Sequence, residues 1–202
     1  MYRPAAFAGD DAAAHALIEA FPLAQLVVLD GSEMVATPVP MVVRGTSLVG
    51  HLARPNPVWR HGGDALAIFG GVDGYVSPRW YEAKARDGKV VPTWNYTTVH
   101  ARGVLVAHDE PEWKLELVTQ LAQRFEQAFD APWAVTDAPP EYVETLLRGI
   151  VGIEITDVVY ESKAKLSQNR SESDRNTAAE GLAARTGREQ ELADAMRRTL
   201  EE

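Results

Sequence analysis

The sequence predicts a mainly β chain with accessory helices, an α+β fold whose strands close into a barrel. Two observations carry this. Between Leu23 and about His108, the runs 26–29, 34–43, 47–54, 65–69 and 90–106 are rich in β-branched or aromatic residues, with Gly and Pro between them. Most of these runs are short and closely spaced, which suits antiparallel meanders better than strand–helix–strand crossovers.

The flanking elements follow in order. Residues 10–20 read as a helix, with Asp10 or Asp11 as its cap, alanines through its body and Pro22 beyond its end. The glycine-rich run Gly70–Gly74 leads into Tyr-Val-Ser-Pro and not into a helix. It lacks the helix start that a dinucleotide fingerprint needs, so it reads as a turn. Asp109 followed by Glu112 reads as a capping box opening a helix over about 111–129. Trp113, Leu117, Leu121 and Phe125 would share one face of it. After a Pro-flanked loop at 132–140, a second helix is expected at 141–148. Val151, Ile153 and Ile155 then alternate as a strand reaching about Tyr160. Beyond Arg170 no aromatic residue occurs. Ser171-x-x-Asp174 and Thr186-x-x-Glu189 each resemble a helix start, and Leu192, Met196 and Leu200 form a thin stripe. We expect a barrel domain over 1–170 and a helical extension over 171–202, packed on the domain or on a partner chain.

Composition narrows the function. With 46% hydrophobic and 24% charged residues, the chain is a globular one. No run of about 18 apolar residues exists, so no membrane span is expected. Cysteine is absent, which excludes disulfides, thiolate metal sites and cysteine nucleophiles. The start Met1-Tyr2-Arg3-Pro4 has no secretory pattern, and a cytoplasmic location is expected. Twenty Lys and Arg stand against 29 Asp and Glu, a net charge of −9. Such a chain is repelled by nucleic-acid phosphates, so direct DNA binding is disfavoured. Its densest basic stretch is Lys163–Arg170, enough for one small anion. There is no P-loop, zincin or nucleophile-elbow motif. The histidines at 15, 51, 61, 100 and 108 lack metal-ligand spacing, and no metal is expected.

Residues 50–100 differ from the rest. They hold three of the five tryptophans and three of the six tyrosines, in segments interrupted by proline where a central strand could not tolerate it. Aromatic rings at strand ends often only pack. Here they sit beside Arg, Asn, Ser and Thr, which suits a flat polar aromatic ligand or a subunit interface. Period-2 geometry puts Trp94, Tyr96, Thr98 and His100 on one strand face, wet or ligand-bound.

At this point a family resemblance becomes specific. Its residues are Met1-Tyr2-x-Pro4, Pro22-Leu23-Ala24, Ala36-Thr37-x-x-Pro40, GHLARPNPVW (50–59), YVSPRWY (75–81), VPTWNY-x-x-VH (91–100), and KLSQNR with Asp174-Arg175 (165–175). In order and spacing they resemble the PaiB family of FMN-binding proteins, often named negative transcriptional regulators. The resemblance implies a split β-barrel of the flavin-reductase and pyridoxamine-phosphate-oxidase type, a homodimer with FMN at the interface. It points to Thr37 and Arg54 for the phosphate, supported by Asn56 and Ser77. Trp80, Thr93, Trp94 and Asn95 are its candidates for the flavin ring, with Lys165, Gln168 and Asn169 reaching in from the C-terminal strand. The chain departs from the pattern at Pro38 and Asp73, where relatives usually carry histidine, and at Ala164, where they carry a bulky aromatic. The pocket is expected to be altered there. No catalytic residue is assigned, although His100 or Tyr96 would lie near a substrate. Three functions stay open: an FMN-binding regulator, a flavin-dependent oxidoreductase acting on a small molecule, and a flavin-free interaction protein.

Overall fold

The structure, a computed structural model, describes residues 1–201. In chain order it contains β1 (Ala8–Gly9), α1 (Asp11–Ala20), β2 (Leu23–Asp30), β3 (Glu33–Arg44), β4 (Ser47–Ala53) and β5 (Gly63–Val76). The short α2 (Ala83–Arg86) precedes β6 (Thr93–His108), α3 (Pro111–Glu126) and α4 (Pro140–Arg148). The chain ends with β7 (Ile150–Lys165), α5 (Glu172–Ala183) and α6 (Arg188–Glu201). Two compact units emerge: a first built from 1–21, 70–99 and the chain from 161, and a second from 22–69 and 100–160.

The second unit holds the barrel. Its strands follow the order β7-β4-β3-β2-β5-β6, and β7 also pairs with β6, which closes the ladder. The β2–β3, β2–β5, β3–β4 and β4–β7 pairs are antiparallel, as expected for meanders. Along β2, buried Ala24, Leu26 and Val28 alternate with exposed Leu23, Gln25 and Leu29, the signature of a strand with one face in a core. Helix α3 covers the outside of this unit. Leu117 and Leu121 pack on Val42 and Val49, with Trp113 against them. Phe125 departs from the expected face and is exposed. The cap also differs. Glu110 is the N-cap without a side-chain bond, because Asp109 is engaged by Arg54 and Lys114.

The first unit is built on helices. Asp10 caps α1, accepting from the Ala13 N–H at 2.8 Å. β1 pairs with β7, Ala8 opposite Lys163 and Gly9 opposite Ser162. Around Val72, Val76, Tyr81 and Leu166 stand Leu182 of α5 and Leu192, Ala193 and Met196 of α6, all fully buried. The thin stripe of the last helix is therefore core, with Leu200 half-buried. Ser171 caps α5 as its motif predicts, accepting from Asp174 N–H at 3.2 Å. α6 begins at Arg188, two residues beyond the expected Thr186.

One element overturns its sequence reading. Gly70–Gly74 is not a turn but the middle of β5. A Cβ at Gly71 would lie 2.2 Å from Thr97 Oγ1, and one at Gly74 would lie 2.8 Å from Leu192 Cδ2. The glycines provide close approach in a strand, not a change of direction.

Candidate flavin-binding residues

The first unit gathers the aromatic and cationic candidates. Along β6, Asn95, Val99 and Ala101 are buried, while Trp94 is 52% exposed and Tyr96, Thr98 and His100 are half-buried. The alternation predicted for this strand is thus present, with the polar aromatic face outward. Trp94 Nε1 donates to Asp73 Oδ1 at 3.0 Å, and its ring meets Tyr75 edge-on, centroids 6.3 Å apart. Asp73 also faces Arg188 at 3.7 Å. At this departure from the family pattern, a carboxylate holds the indole in place.

Two lysines of β7 stand beside these rings, two residues apart and so on one strand face. Lys165 Nζ donates to Thr93 Oγ1 and to the Trp94 carbonyl, both at 2.5 Å. Lys163 Nζ donates to the Tyr2 carbonyl at 3.0 Å and lies 5.2 Å from the centroid of Tyr96. Neither lysine makes an ion pair with a carboxylate among the described residues. Burial lowers the proton affinity of Lys165, and the neighbouring Lys163 ammonium lowers it further. Lysines held this way favour an anion. Tyr96 was singled out from the sequence as lying near a substrate, whereas Lys163 and Tyr2 were not among the site candidates, although period-2 spacing from Lys165 within the one dense basic stretch would have found Lys163.

The other candidates of this unit have internal duties. Asn95 is fully buried, donating to Ser167 Oγ at 2.9 Å and to Met196 Sδ at 3.4 Å. Gln168 closes the end of β7 through Leu166 N–H and the Ala164 carbonyl. Ser77 Oγ accepts from Arg79 N–H at the head of a short turn over Pro78–Trp80. Trp80 packs over Gly181 of α5, where any side chain would collide with the indole. Asn169 is exposed in the turn after β7.

The second unit holds the remaining three. Asn56 Nδ2 donates to Thr37 Oγ1 at 3.0 Å, and its Oδ1 accepts from Val58 N–H, so amide and hydroxyl are fixed as a pair. Arg54 grips Asp109 with both Nη atoms, at 3.0 and 2.5 Å, and donates to the carbonyls of Arg148 and Ile150. The structure thus brings Thr93, Trp94 and Lys165 together in one unit, and Thr37 and Asn56 in the other.

The residues gathered in the first unit fit a flavin mononucleotide. The ammonium groups of Lys163 and Lys165, without a carboxylate, suit an anionic group, and the exposed indole of Trp94 offers an aromatic wall.

Comparison with known proteins agrees. A family model described as "Putative FMN-binding domain" matches residues 1–157. The "Protease synthase and sporulation protein PAI 2" of Bacillus subtilis is 36% identical over 138 residues, covering 67% of this chain and 64% of that protein. A protein of Emericella nidulans is 36% identical over 131 residues, 59% of this chain and 52% of its own length. The chain therefore matches about half to two thirds of these relatives' length. Among solved structures, the FAD and heme binding protein of Mycobacterium smegmatis superposes with a TM-score of 0.56 at 17% identity, over 77% of this chain and 71% of that one. The flavocytochrome Anf3 of Azotobacter vinelandii gives 0.56 at 14% identity, over 78% and 69%. The shared fold is the split β-barrel, and with the family model spanning three quarters of its residues, this chain belongs to the FMN-binding family of PaiB type, with FMN as its cofactor.

Proposed function

We propose that this protein is a cytoplasmic, homodimeric FMN-binding regulator that acts through its ligand and a protein partner, without gripping DNA itself. One observation carries the ligand part: Lys163 and Lys165, two ammonium groups without carboxylate partners in a chain of net charge −9, stand beside Tyr96 and the exposed Trp94. The relative's name, with its reference to sporulation, supports a regulatory role. The charge argues against DNA as the direct target.

Bound FMN supplies hydride- and electron-transfer chemistry. The chain's own residues bind and orient. In this proposal Lys165 and Thr93 hold an anionic or carbonyl edge of the cofactor, and Trp94, fixed by Asp73, covers a ring face. In the second unit, the Thr37–Asn56 hydrogen bond and the Arg54–Asp109 pair keep the 54–60 turn in place. Ser77, Trp80, Asn95, Gln168 and Asn169 shape the segments that carry these groups.

A second reading, an oxidoreductase acting on a small molecule, is favoured by a groove in the first unit. It has a volume of about 460 Å³ and runs along Leu17, Phe21, Thr97, Lys163, Ala164 and Arg198. Ala164 leaves it open where a larger side chain would fill it.

FMN titration followed by flavin absorbance and tryptophan fluorescence tests the proposal. Saturable binding is expected, and Lys165→Met is expected to weaken it about tenfold, the scale of one charge-assisted hydrogen bond. The pH dependence has a definite sign. An anion stabilises the protonated lysine, so affinity falls as pH rises through the Lys165 pKa, which lies below the ordinary lysine value. The difference between wild type and Lys165→Met is expected to shrink over that alkaline range. A pH-independent difference would remove Lys165 from the anion site. Turnover with a nicotinamide reductant and a small-molecule acceptor would shift the conclusion to the second reading.

A further inference from the structure

The segment from Phe125 to Leu147, in the second unit, combines exposed apolar groups with one sign of charge. It holds five carboxylates, Glu126, Asp130, Asp137, Glu141 and Glu144, and no Lys, Arg or His. Interleaved with them are Phe125, Phe129, Trp133, Tyr142 and Leu146, each between 42% and 62% exposed.

The fold gathers the apolar groups. Trp133, Tyr142 and Leu146 line one cavity of about 300 Å³ together with Val118, Val143 and Leu147. Phe125 lies two turns beyond Val118 on the same face of α3. Phe129 follows where the helix closes, its N–H donating to the Glu126 carbonyl at 3.0 Å. Two of the acids tie down the loop: Glu126 accepts from Trp133 N–H at 3.1 Å and Asp137 from Ala134 N–H at 2.8 Å. Asp130, Glu141 and Glu144 are exposed beside Phe129 and Tyr142 in the chain.

A cluster of half-exposed aromatic side chains marks a contact surface. Charge selects what covers it. An anionic membrane and a nucleic acid are both repelled by five carboxylates with no cation among them. A second copy meeting this surface about a two-fold axis would bring the same five carboxylates against them, a juxtaposition of like charges. A helical segment with apolar anchors on one face and Lys or Arg around them matches the surface in both respects.

We propose that the α3–α4 surface docks a basic amphipathic helix of a partner protein. One apolar anchor enters the cavity beside Trp133 and Tyr142, and its Lys or Arg side chains meet Asp130, Glu141 and Glu144. This gives a chemistry to the protein partner of the regulator described above, and it rests on that reading for its regulatory meaning.

The test uses protein incubated with FMN and three peptides of equal length carrying a rhodamine label, followed by fluorescence anisotropy. The first is an amphipathic helix of leucine and lysine, the second replaces its lysines by glutamate, and the third replaces its leucines by serine. The leucine–lysine peptide is expected to bind saturably, and the other two at least about tenfold more weakly, a comparison that needs no variant to fold. Trp133→Ala is expected to weaken the leucine–lysine peptide about tenfold, the scale of one aromatic anchor. Asp130→Lys with Glu144→Lys is expected to weaken it about fivefold. Glu33→Lys with Glu180→Lys makes the same change in net charge at exposed acids elsewhere and is expected to leave it within about twofold. A leucine–lysine peptide that binds no tighter than either control, equal losses in the two charge-reversed proteins, or undiminished binding to Trp133→Ala would each overturn the proposal. So would a dimer that Trp133→Ala dissociates in light scattering, which would assign the surface to a second copy. FMN titration of the same samples keeps the two readings apart. A chain that binds FMN but not the leucine–lysine peptide overturns this inference alone. Peptide binding without FMN binding overturns the flavin reading and upholds the docking surface.

Discussion

Arg54 shows how much, and how little, one residue's surroundings can be read from its neighbours in sequence. Its position in a Pro-rich turn leaving a strand marks it as a functional candidate, and the resemblance assigns it to a phosphate. In the fold its fork meets Asp109, 55 residues away, and two carbonyls where α4 gives way to β7. Asp109 also accepts from the buried Lys114 at 2.8 Å, and the two cations hold its carboxyl well below the usual carboxylate range. Both Arg54 and Asp109 are substantially exposed, so solvent screens their attraction, and the bidentate geometry is what fixes the turn. Arg54→Ala is therefore expected to lower FMN and riboflavin affinity by the same factor, together with a fall in melting temperature. Parallel titrations of the two flavins check this. A loss confined to FMN would return the phosphate to Arg54. Residue type and local spacing pointed to Arg54, but nothing local in the sequence could name Asp109 as its partner.

At the scale of elements, the legible parts are those whose pattern is local. The strands of the barrel follow from β-branched runs, α1 from its cap and alanines, and α5 from Ser171. Glycine runs and the last helix were harder, because their meaning depends on what packs against them. Gly71 and Gly74 allow Thr97 and Leu192 to approach β5, so a turn-forming composition lies inside a strand. α6 looks like a surface helix because only a narrow stripe is apolar, yet that stripe is enough when α5, Val72 and Val76 close around it. Leu192 is 0% exposed. Leu192→Ala is expected to cost about 2–5 kcal/mol, the range for truncating a buried leucine, read as a lower urea midpoint. The same change at the exposed Leu115 is expected to stay within about 0.5 kcal/mol. Equal effects at the two positions would mean that α6 adds little to the core of the first unit. The candidate site divides along the same line. The outward face of β6 was legible from alternation, whereas the inward duties of Asn95 and Gln168 depend on Ser167, Met196 and the end of β7.

For the molecule as a whole, charge and exposed apolar surface point to the partner. A net charge of −9 makes two copies repel each other, so the homodimer proposed above is expected to rest on apolar contact. The second unit offers such a surface. Met34 is 80% exposed, Val159 64%, and with Leu29 and Val104 they flank an open groove of about 530 Å³ across β2, β3, β6 and β7. Clustered apolar exposure of this kind marks an interaction surface. The fold positions it where strands, not loops, present the side chains, which suits a self-complementary contact about a two-fold axis. Light scattering on the purified protein is expected to return twice the chain mass of 22.1 kDa. Val159→Lys adds a like charge to both faces of the contact and leaves the buried core untouched, so the variant is expected to stay folded and run as a monomer. FMN affinity then separates two roles for the dimer. If the flavin is shared between subunits, affinity and dimerisation are lost together. If each chain holds its own flavin, the monomer binds FMN as wild type does. A dimer undisturbed by Val159→Lys would move the contact to another surface.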